Sequence, residues 1–552
     1  MTGLAPKAGL AFDPDASVGA LADRWHERAG RIARSRSVWM WLLIGVAAIY
    51  MAIVARYFTA LLTNTQANAD ASSAQVIGEL YGHNSGTVYL GNIAWYSTLL
   101  FEWATGWLPA HHQIWDVGPY GIALCSIAVM AWTIWTVGGR NAACVTVVLL
   151  LCASPSMLGQ MLWLNNHMTS YYSLALLAGY LVFLESHAAR LSKRLLGPIA
   201  LVVGVLVGVN MASDFLLVLA GPTSLLLAVI VAWRLAPSAV SVRAVVWSIL
   251  AVAVMGVTTV VTLTAMHSAQ IYQAPFKLAF ATTESIVTNF RDWWQSVAVL
   301  GNGSFFGARL SLSSVLYAVC ACLTTVSVLF IPRFAWRSLE RWRTQPERVD
   351  PKLSAYVVFW AMSCTLLSVA FIFSSAPEAL DTTRYLNGVI FAAAAIVPLW
   401  MARGNLTRIA IIGGTLVYCL ASINGLLRSG MINEPTKGPT PEVAREIAQA
   451  AESQHATQGY AVYWAAAPIT WFSHARVKAY PFFGCGNSEM CPPGVNFMAS
   501  WYGLPRSERT FLIAEAELQF PPRPEFGPPI AIYHFGTITM TVFAKNIGQY
   551  IK

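Results

Sequence analysis

The chain has 552 residues, of which 56% are hydrophobic and only 11% charged, with a mean hydropathy of +0.54. Soluble domains carry about 25% charged residues, so a deficit of this size over most of the length makes lipid the solvent for much of the chain and excludes an ordinary soluble enzyme. The formal charge of +9 would point to nucleic acid in a soluble protein, but here the basic residues fall mainly in short segments between apolar runs. Membrane topology accounts for them there, and no nucleic-acid motif accompanies them.

The first 36 residues are polar, with Pro6, Pro14 and the basic series Arg24, Arg28, Arg31, Arg34 and Arg36. They are too long and too polar for the leading part of a cleaved signal peptide, so 1–37 reads as a basic cytoplasmic tail ahead of a signal anchor. A membrane helix needs about 20 mostly apolar residues. That rule gives about eleven runs, near 38–62, 117–138, 142–160, 169–185, 197–213, 215–233, 244–266, 310–332, 354–374, 385–402 and 408–427. Basic clusters at the tail, Arg140, Arg190 to Arg194, Arg234 to Arg243, Arg333 to Lys352 and Arg403 to Arg408 then fall on one side of the alternating topology. By the positive-inside rule that side is cytoplasmic, as is the N-terminus.

The other side carries two large loops. Residues 63–116 contain no lysine or arginine and include "GNIAWYSTLLFEWATGWLP"; residues 267–309 carry Trp293, Trp294 and paired phenylalanines. Both suit helices lying in the membrane interface. Residues 38–430 thus form a transmembrane domain, and an odd span count places 431–552 outside the cytoplasm. That tail opens on "PTPEVAREIAQAAES", a helix with Thr440 as N-cap and Pro441 at its first position. β-like runs follow: "YAVYWAAA", "RVKAYPFF", "RTFLIAEAEL" and "AIYHFGTITMTVFAKN". The fold class is therefore mainly α, polytopic, with a small extracytoplasmic C-terminal α/β domain. Seven cysteines lie in apolar runs, whereas Cys485 and Cys491 sit in the polar "FGCGNSEMCPPG", whose spacing fits a small disulfide loop in an oxidising compartment.

Several polar residues carry two readings. Asp70 follows the first run and reads either as a helix cap or as a working acid. Glu79, nine residues on, faces the opposite side of one helix. Arg384, in "SSAPEALDTTRYLNG", stands against the positive-inside trend, either to bind an anionic phosphate or to pair with Glu378 or Asp381. Asp214 reads as a cap of the following helix or as a site residue. The histidines His83, His111, His112, His167, His267 and His474 fall on the external side, and the His111–His112 pair with Asp116 leaves a divalent metal ion open.

Together these elements resemble the polytopic C-type glycosyltransferases (the GT-C superfamily), which use polyprenyl-phosphate sugars. The resemblance rests on Asp70 in a long first external loop, on "GGRNAACVTVVLLLCASPSML", on the Gly-spaced hairpin "GPIALVVGVLVGVNMASDFLLVLAGP" and on "DTTRYLNGVIFAAAAIVPL". The tail, with "GYAVYWAAAPITWFS" and "RVKAYP", is similar to external domains that some bacterial members append. The resemblance implies a multi-pass protein of the bacterial inner membrane that moves a sugar, with inversion, to a glycolipid or cell-envelope glycan. It implies Asp70 as general base and Arg384 with Tyr385 as the donor-phosphate site. Glu79, His83, Asp116, His167, Asp214, Glu284 and Asp292 are candidate further contacts. Many members place a second acid beside the first, whereas Asp70 is followed by "ASSA", which leaves metal dependence open. Two other activities fit the composition: a transporter or flippase, and a polymerase or ligase, of polyprenyl-linked glycans.

Overall fold

The computed structural model describes residues 36–81, 86–91, 95–187, 191–235, 242–273, 279–345, 350–375, 377, 379–433, 438–485, 489–502, 509–515 and 524–551. Nearly all of the expected basic tail, together with His83 and Glu378, lies outside them. Among the described residues ten helices are long and apolar enough to cross a membrane. They are Val38–Arg56, His111–Leu151, His167–His187, Lys193–Ser213, Phe215–Arg234, Val242–Ser268, Leu312–Thr344, Pro351–Phe373, Thr382–Arg403 and Asn405–Arg428.

The sequence led to about eleven, and the difference lies in one element. His111–Leu151 spans 41 residues and takes in the run expected at 117–138 and most of that at 142–160. A straight helix of that length would measure about 60 Å, twice the hydrocarbon thickness. It is broken at Gly139, whose φ of 80° and ψ of 177° lie outside helical geometry and suit a residue without a Cβ. The arms on either side run back along each other's direction. Gly138 packs against Leu399, whereas Thr146 Oγ1 donates to the Ala394 carbonyl at 3.0 Å, nearer the opposite end of the same span. The second arm stops at Leu151 because Pro155 cannot donate to a continuing helix. Ser154 instead caps a short helix, Pro155–Met161, accepting from Met157 N at 3.3 Å.

The outward faces of the spans are apolar. On Val242–Ser268 the side chains of Val257 and Val260 are 64% and 63% exposed, an arrangement that water would penalise and lipid does not. Basic segments gather at one end of the bundle. Arg140 and Arg408 line one cavity with Phe334, and the Arg403 guanidinium lies 4.7 Å from the Phe334 ring centre. Arg384 stands at the far end of the span that finishes at Arg403, about 30 Å away by helical rise.

At that far end the first loop folds as three helices, Phe58–Gln66, Ala69–Tyr81 and Trp95–Thr105. The run expected at 38–62 stops at Arg56, and Tyr57 breaks it from Phe58–Gln66. The second loop supplies the amphipathic helix Thr283–Leu300. The tail holds a six-stranded sheet in the order Met490–Cys491, Lys478–Gly484, Gln458–Val462, Thr510–Glu515, Ile538–Phe543, Pro529–Phe535. Gln458–Val462 is parallel to both of its neighbours. The run "YAVYWAAA" does not continue as a strand past Val462; a helix, Tyr463–Phe472, begins there. The alanines of that run favour the helix, and the parallel pairing of the flanking strands requires a crossover. Cys485 and Cys491 are joined by a disulfide.

The tail is not a separate ball on a stalk. A second sheet joins three distant segments: Val88–Leu90 of the first loop pairs in parallel with Ile271–Gln273 of the second loop and antiparallel with Phe497–Met498 of the tail. Tyr89 stacks on Phe497 with ring centres 5.0 Å apart. One buried apolar cluster runs from Ala69, Ile77, Leu80 and Trp115 into Ile447, Tyr460, Ile469 and Phe511. Gly438 lies so close to the Ala67 and Trp464 carbonyls that a Cβ there would collide with backbone. First loop and tail therefore share a core across the boundary drawn at residue 431.

Candidate active site

Asp70 is the second residue of Ala69–Tyr81. The cap of that helix is Asn68, whose Oδ1 accepts from Asp70 N at 2.9 Å, so the Asp70 carboxylate is not spent on capping. Its Oδ1 accepts from the Tyr463 hydroxyl at 2.8 Å. The Tyr463 hydroxyl in turn accepts from Asn496 Nδ2 at 2.7 Å, and Asn496 Oδ1 accepts from Gly91 N at 3.0 Å. The Asp70 carbonyl accepts from Asn165 Nδ2.

That last bond ties Asp70 to the "LWLNNHM" turn, and the turn leads to the arginine. His167, two residues after Asn165, presses edge-on against the Tyr385 ring with centres 4.5 Å apart. Its Nδ1 lies 2.8 Å from Asp214 Oδ2. Both side chains are buried, and His167 Nε2 has no hydrogen-bond partner among the described residues. Asp214 Oδ1 also caps the next helix, accepting from Leu216 N at 3.1 Å. The two readings of Asp214, cap and site residue, are therefore not exclusive.

Arg384 and Tyr385 sit on a 3-10 turn, Ala379–Leu386, pinned from three sides. The Tyr171 hydroxyl donates to the Tyr385 carbonyl at 2.6 Å. Asn387 Nδ2 donates to the Arg384 carbonyl at 3.0 Å. The Thr383 and Ser296 hydroxyls meet at 3.1 Å. The backbone is thus fixed while the buried Arg384 Nε has no hydrogen-bond partner, and Arg384 joins no ion pair, among the described residues. Asp381's side chain and Glu378, the alternative partners, lie outside that description. Tyr463 feels both poles of the site. Burial, then the Asp70 charge, push its hydroxyl well above the ordinary range, and the Arg384 charge opposes this.

Other candidates fall elsewhere. Glu79 sits on the same helix as Asp70 but beside Glu102. His111 Nε2 lies 2.9 Å from Glu102 Oε1, while His112 Nε2 lies 3.1 Å from His474 Nδ1, so the adjacent histidines turn to different partners. Asp116 stands beside His474 and Gln66. Among the described residues no three His, Cys, Asp or Glu side chains gather as a metal-binding group. Asp292 is buried beside Arg291 Nε at 3.3 Å, one turn before Ser296, and Glu284 is exposed in the first turn of the same helix. Sequence reasoning did not select Asn165, Tyr463 or Asn496. The one signal for Tyr463 is its place at the carboxyl end of a parallel strand, where α/β sheets present ligand-binding residues.

No protein-family model matches the chain, and no curated protein matches it. Among solved structures it is similar to ArnT from Cupriavidus metallidurans in the apo state, with 12% identity and a TM-score of 0.44 over 94% of this chain and 99% of that one. The same protein bound to undecaprenyl phosphate matches at 11% identity and a TM-score of 0.42, with the same coverage of both chains. The Archaeoglobus fulgidus oligosaccharyltransferase, in complex with zinc and sulfate, matches at 11% identity and a TM-score of 0.41 over 77% of this chain and 62% of that one. Similarity at this level identifies neither an activity nor a family.

Glu102 gives the first loop a pH dependence of its own. Burial, then the neighbouring Glu79 charge, raise its carboxyl from 4.5 to about 8, against a smaller lowering by the Trp115 indole N–H. An acid raised on folding keeps a proton that the unfolded chain releases. Its stabilising contribution is whole below 4.5 and is lost as pH rises through about 8. Thermal unfolding of the detergent-solubilised protein should therefore show a midpoint that falls from pH 5 to pH 9, with a flatter profile in Glu102→Gln. Equal slopes in the two proteins would remove Glu102 as the cause.

Proposed function

We propose that the protein is an integral-membrane glycosyltransferase moving a sugar from a polyprenyl-phosphate donor to an acceptor on the face that carries Asp70 and the C-terminal domain. The observation that carries this reading is the turn that links Asp70 to the Arg384 segment, far apart in sequence, at one end of the bundle: Asn165 Nδ2 donates to the Asp70 carbonyl, and His167 packs on Tyr385, next to Arg384. Glycosyl transfer from a lipid phosphate needs those two charges. Asp70 takes the proton of the acceptor hydroxyl as its oxygen bonds to the anomeric carbon. The bond from that carbon to the phosphate oxygen breaks, its electron pair leaves with the phosphate, and Arg384 stabilises the negative charge. Attack from the face opposite the leaving phosphate inverts the anomeric centre.

The donor's lipid tail explains why these groups stand at helix ends instead of in a soluble pocket. A transporter would be expected to set ionisable groups near the midplane, between broken helices. Asp70, His167, Asp214 and Arg384 all lie at helix ends or turns on one face. On this reading the protein works in the bacterial inner membrane with that face outward, and the acceptor is a glycolipid or a cell-envelope glycan. Native mass spectrometry of the purified protein tests the donor class. Polyprenyl monophosphate should be retained in preference to polyprenol of the same length; equal retention of both would remove the phosphate site.

A further inference from the structure

We infer that the C-terminal domain is part of the catalytic centre: Tyr463 and Asn496 act as positioning residues that hold one oxygen of Asp70 and leave the other for the acceptor. The inference rests on the glycosyl-transfer reading for the role of Asp70, but the hydrogen-bond chain behind it stands on its own geometry.

A tyrosine hydroxyl has one hydrogen to give. Asn496 Nδ2 donates to the Tyr463 oxygen at 2.7 Å, so that hydrogen is free to be committed to Asp70 Oδ1, 2.8 Å away. The direction of the chain is set from its far end. Asn496 Oδ1 accepts the Gly91 N–H at 3.0 Å, which fixes which way the amide faces. Asn496 itself holds a φ of 61°, a left-handed conformation that asparagine tolerates better than most side chains. It directly precedes the strand Phe497–Met498, which is sewn to the first loop at Val88–Leu90. Tyr463 opens the crossover helix Tyr463–Phe472, whose residues Ala465 and Ile469 share the buried cluster with Ala74 and Ile77 of the Asp70 helix. Among the described residues Asp70 Oδ2 has no hydrogen-bond partner.

A role limited to folding the tail onto the membrane domain would not need this chain, because the apolar cluster and the three-stranded sheet already join the two. A phenol donating to a carboxylate is a charge-assisted bond, stronger than one between neutral groups, and it fixes a rotamer near a reacting atom.

The test uses the purified full-length protein in lipid with a polyprenyl-phosphate sugar that the wild type turns over. Tyr463→Phe removes only the hydroxyl and should lower kcat roughly tenfold or more, the rate equivalent of such a bond, with donor KM unchanged. Asn496→Asp keeps the acceptor oxygen and the backbone tolerance but loses the amide donor; it should also lower kcat. The double variant should be no slower than Tyr463→Phe alone, because without the hydroxyl the Asn496 amide donor has nothing to hold, and the acceptor for Gly91 N is kept in both. A wild-type kcat in Tyr463→Phe, or losses that multiply in the double variant, would overturn the inference. If Asp70→Asn keeps its turnover, the glycosyl-transfer reading fails instead. A second readout needs no turnover: carbodiimide modification, mapped to the Asp70 peptide by mass spectrometry, should run faster in Tyr463→Phe than in wild type. An unchanged rate would overturn the inference independently of any activity.

Discussion

Asp70→Asn is expected to lower sugar transfer by roughly 10²–10⁴-fold, the range for losing a general base, while leaving the protein folded and inserted. The substitution is nearly isosteric, and the amide oxygen can still accept from Tyr463. Asn68 caps the helix, so the helix terminus does not depend on the carboxylate. On the proposed mechanism, what disappears is the group that takes the acceptor proton. Donor retention should survive, because Arg384 lies on a different element. The check is turnover beside donor binding in one preparation. Loss of both together would assign Asp70 to binding or to folding instead of to proton transfer.

The second large effect is expected at Arg384. Arg384→Ala should reduce kcat/KM for the donor by roughly 10²–10³-fold, the scale for removing one group that stabilises developing negative charge. The 3-10 turn should persist, since it is held through the Tyr385 and Arg384 carbonyls and the Thr383 hydroxyl, none of which belongs to the guanidinium. Arg384→Lys should recover part of the loss, because the ammonium keeps the charge but not the planar fork that grips two phosphate oxygens. Titration of each variant with polyprenyl monophosphate checks this. Donor affinity unchanged in Arg384→Ala, with lowered thermal stability, would make Arg384 the partner of a nearby carboxylate.

Asp70 and Arg384 stood out in the sequence for different physical reasons. Arg384 departs from the positive-inside trend and so calls for a local use, whereas Asp70 stands just beyond the first span in a loop that has no lysine or arginine to pair with it. The spans were legible because lipid demands long apolar runs, and most observed boundaries fall within a few residues of those read from the chain. The second and third runs were separable by composition, yet one element holds them, because the helix breaks only at Gly139 and resumes directly through Arg140 and Asn141. Tyr463 was hidden for a different reason. In "YAVYWAAA" a tyrosine among apolar residues reads as strand core, and its partner lies in the first loop, joined by pairings that no local pattern records. Asn496 and Asn165 are ordinary loop asparagines by sequence; only the tertiary contacts give them a direction.

The most direct measurement is transfer of radiolabel from a panel of polyprenyl-phosphate sugars to a membrane glycolipid extract, using purified wild type and Asp70→Asn in lipid side by side. Transfer from one donor by the wild type that is lost in Asp70→Asn is the expected result, and it would name the sugar as well as the base. Transfer undiminished in Asp70→Asn would contradict the proposed mechanism.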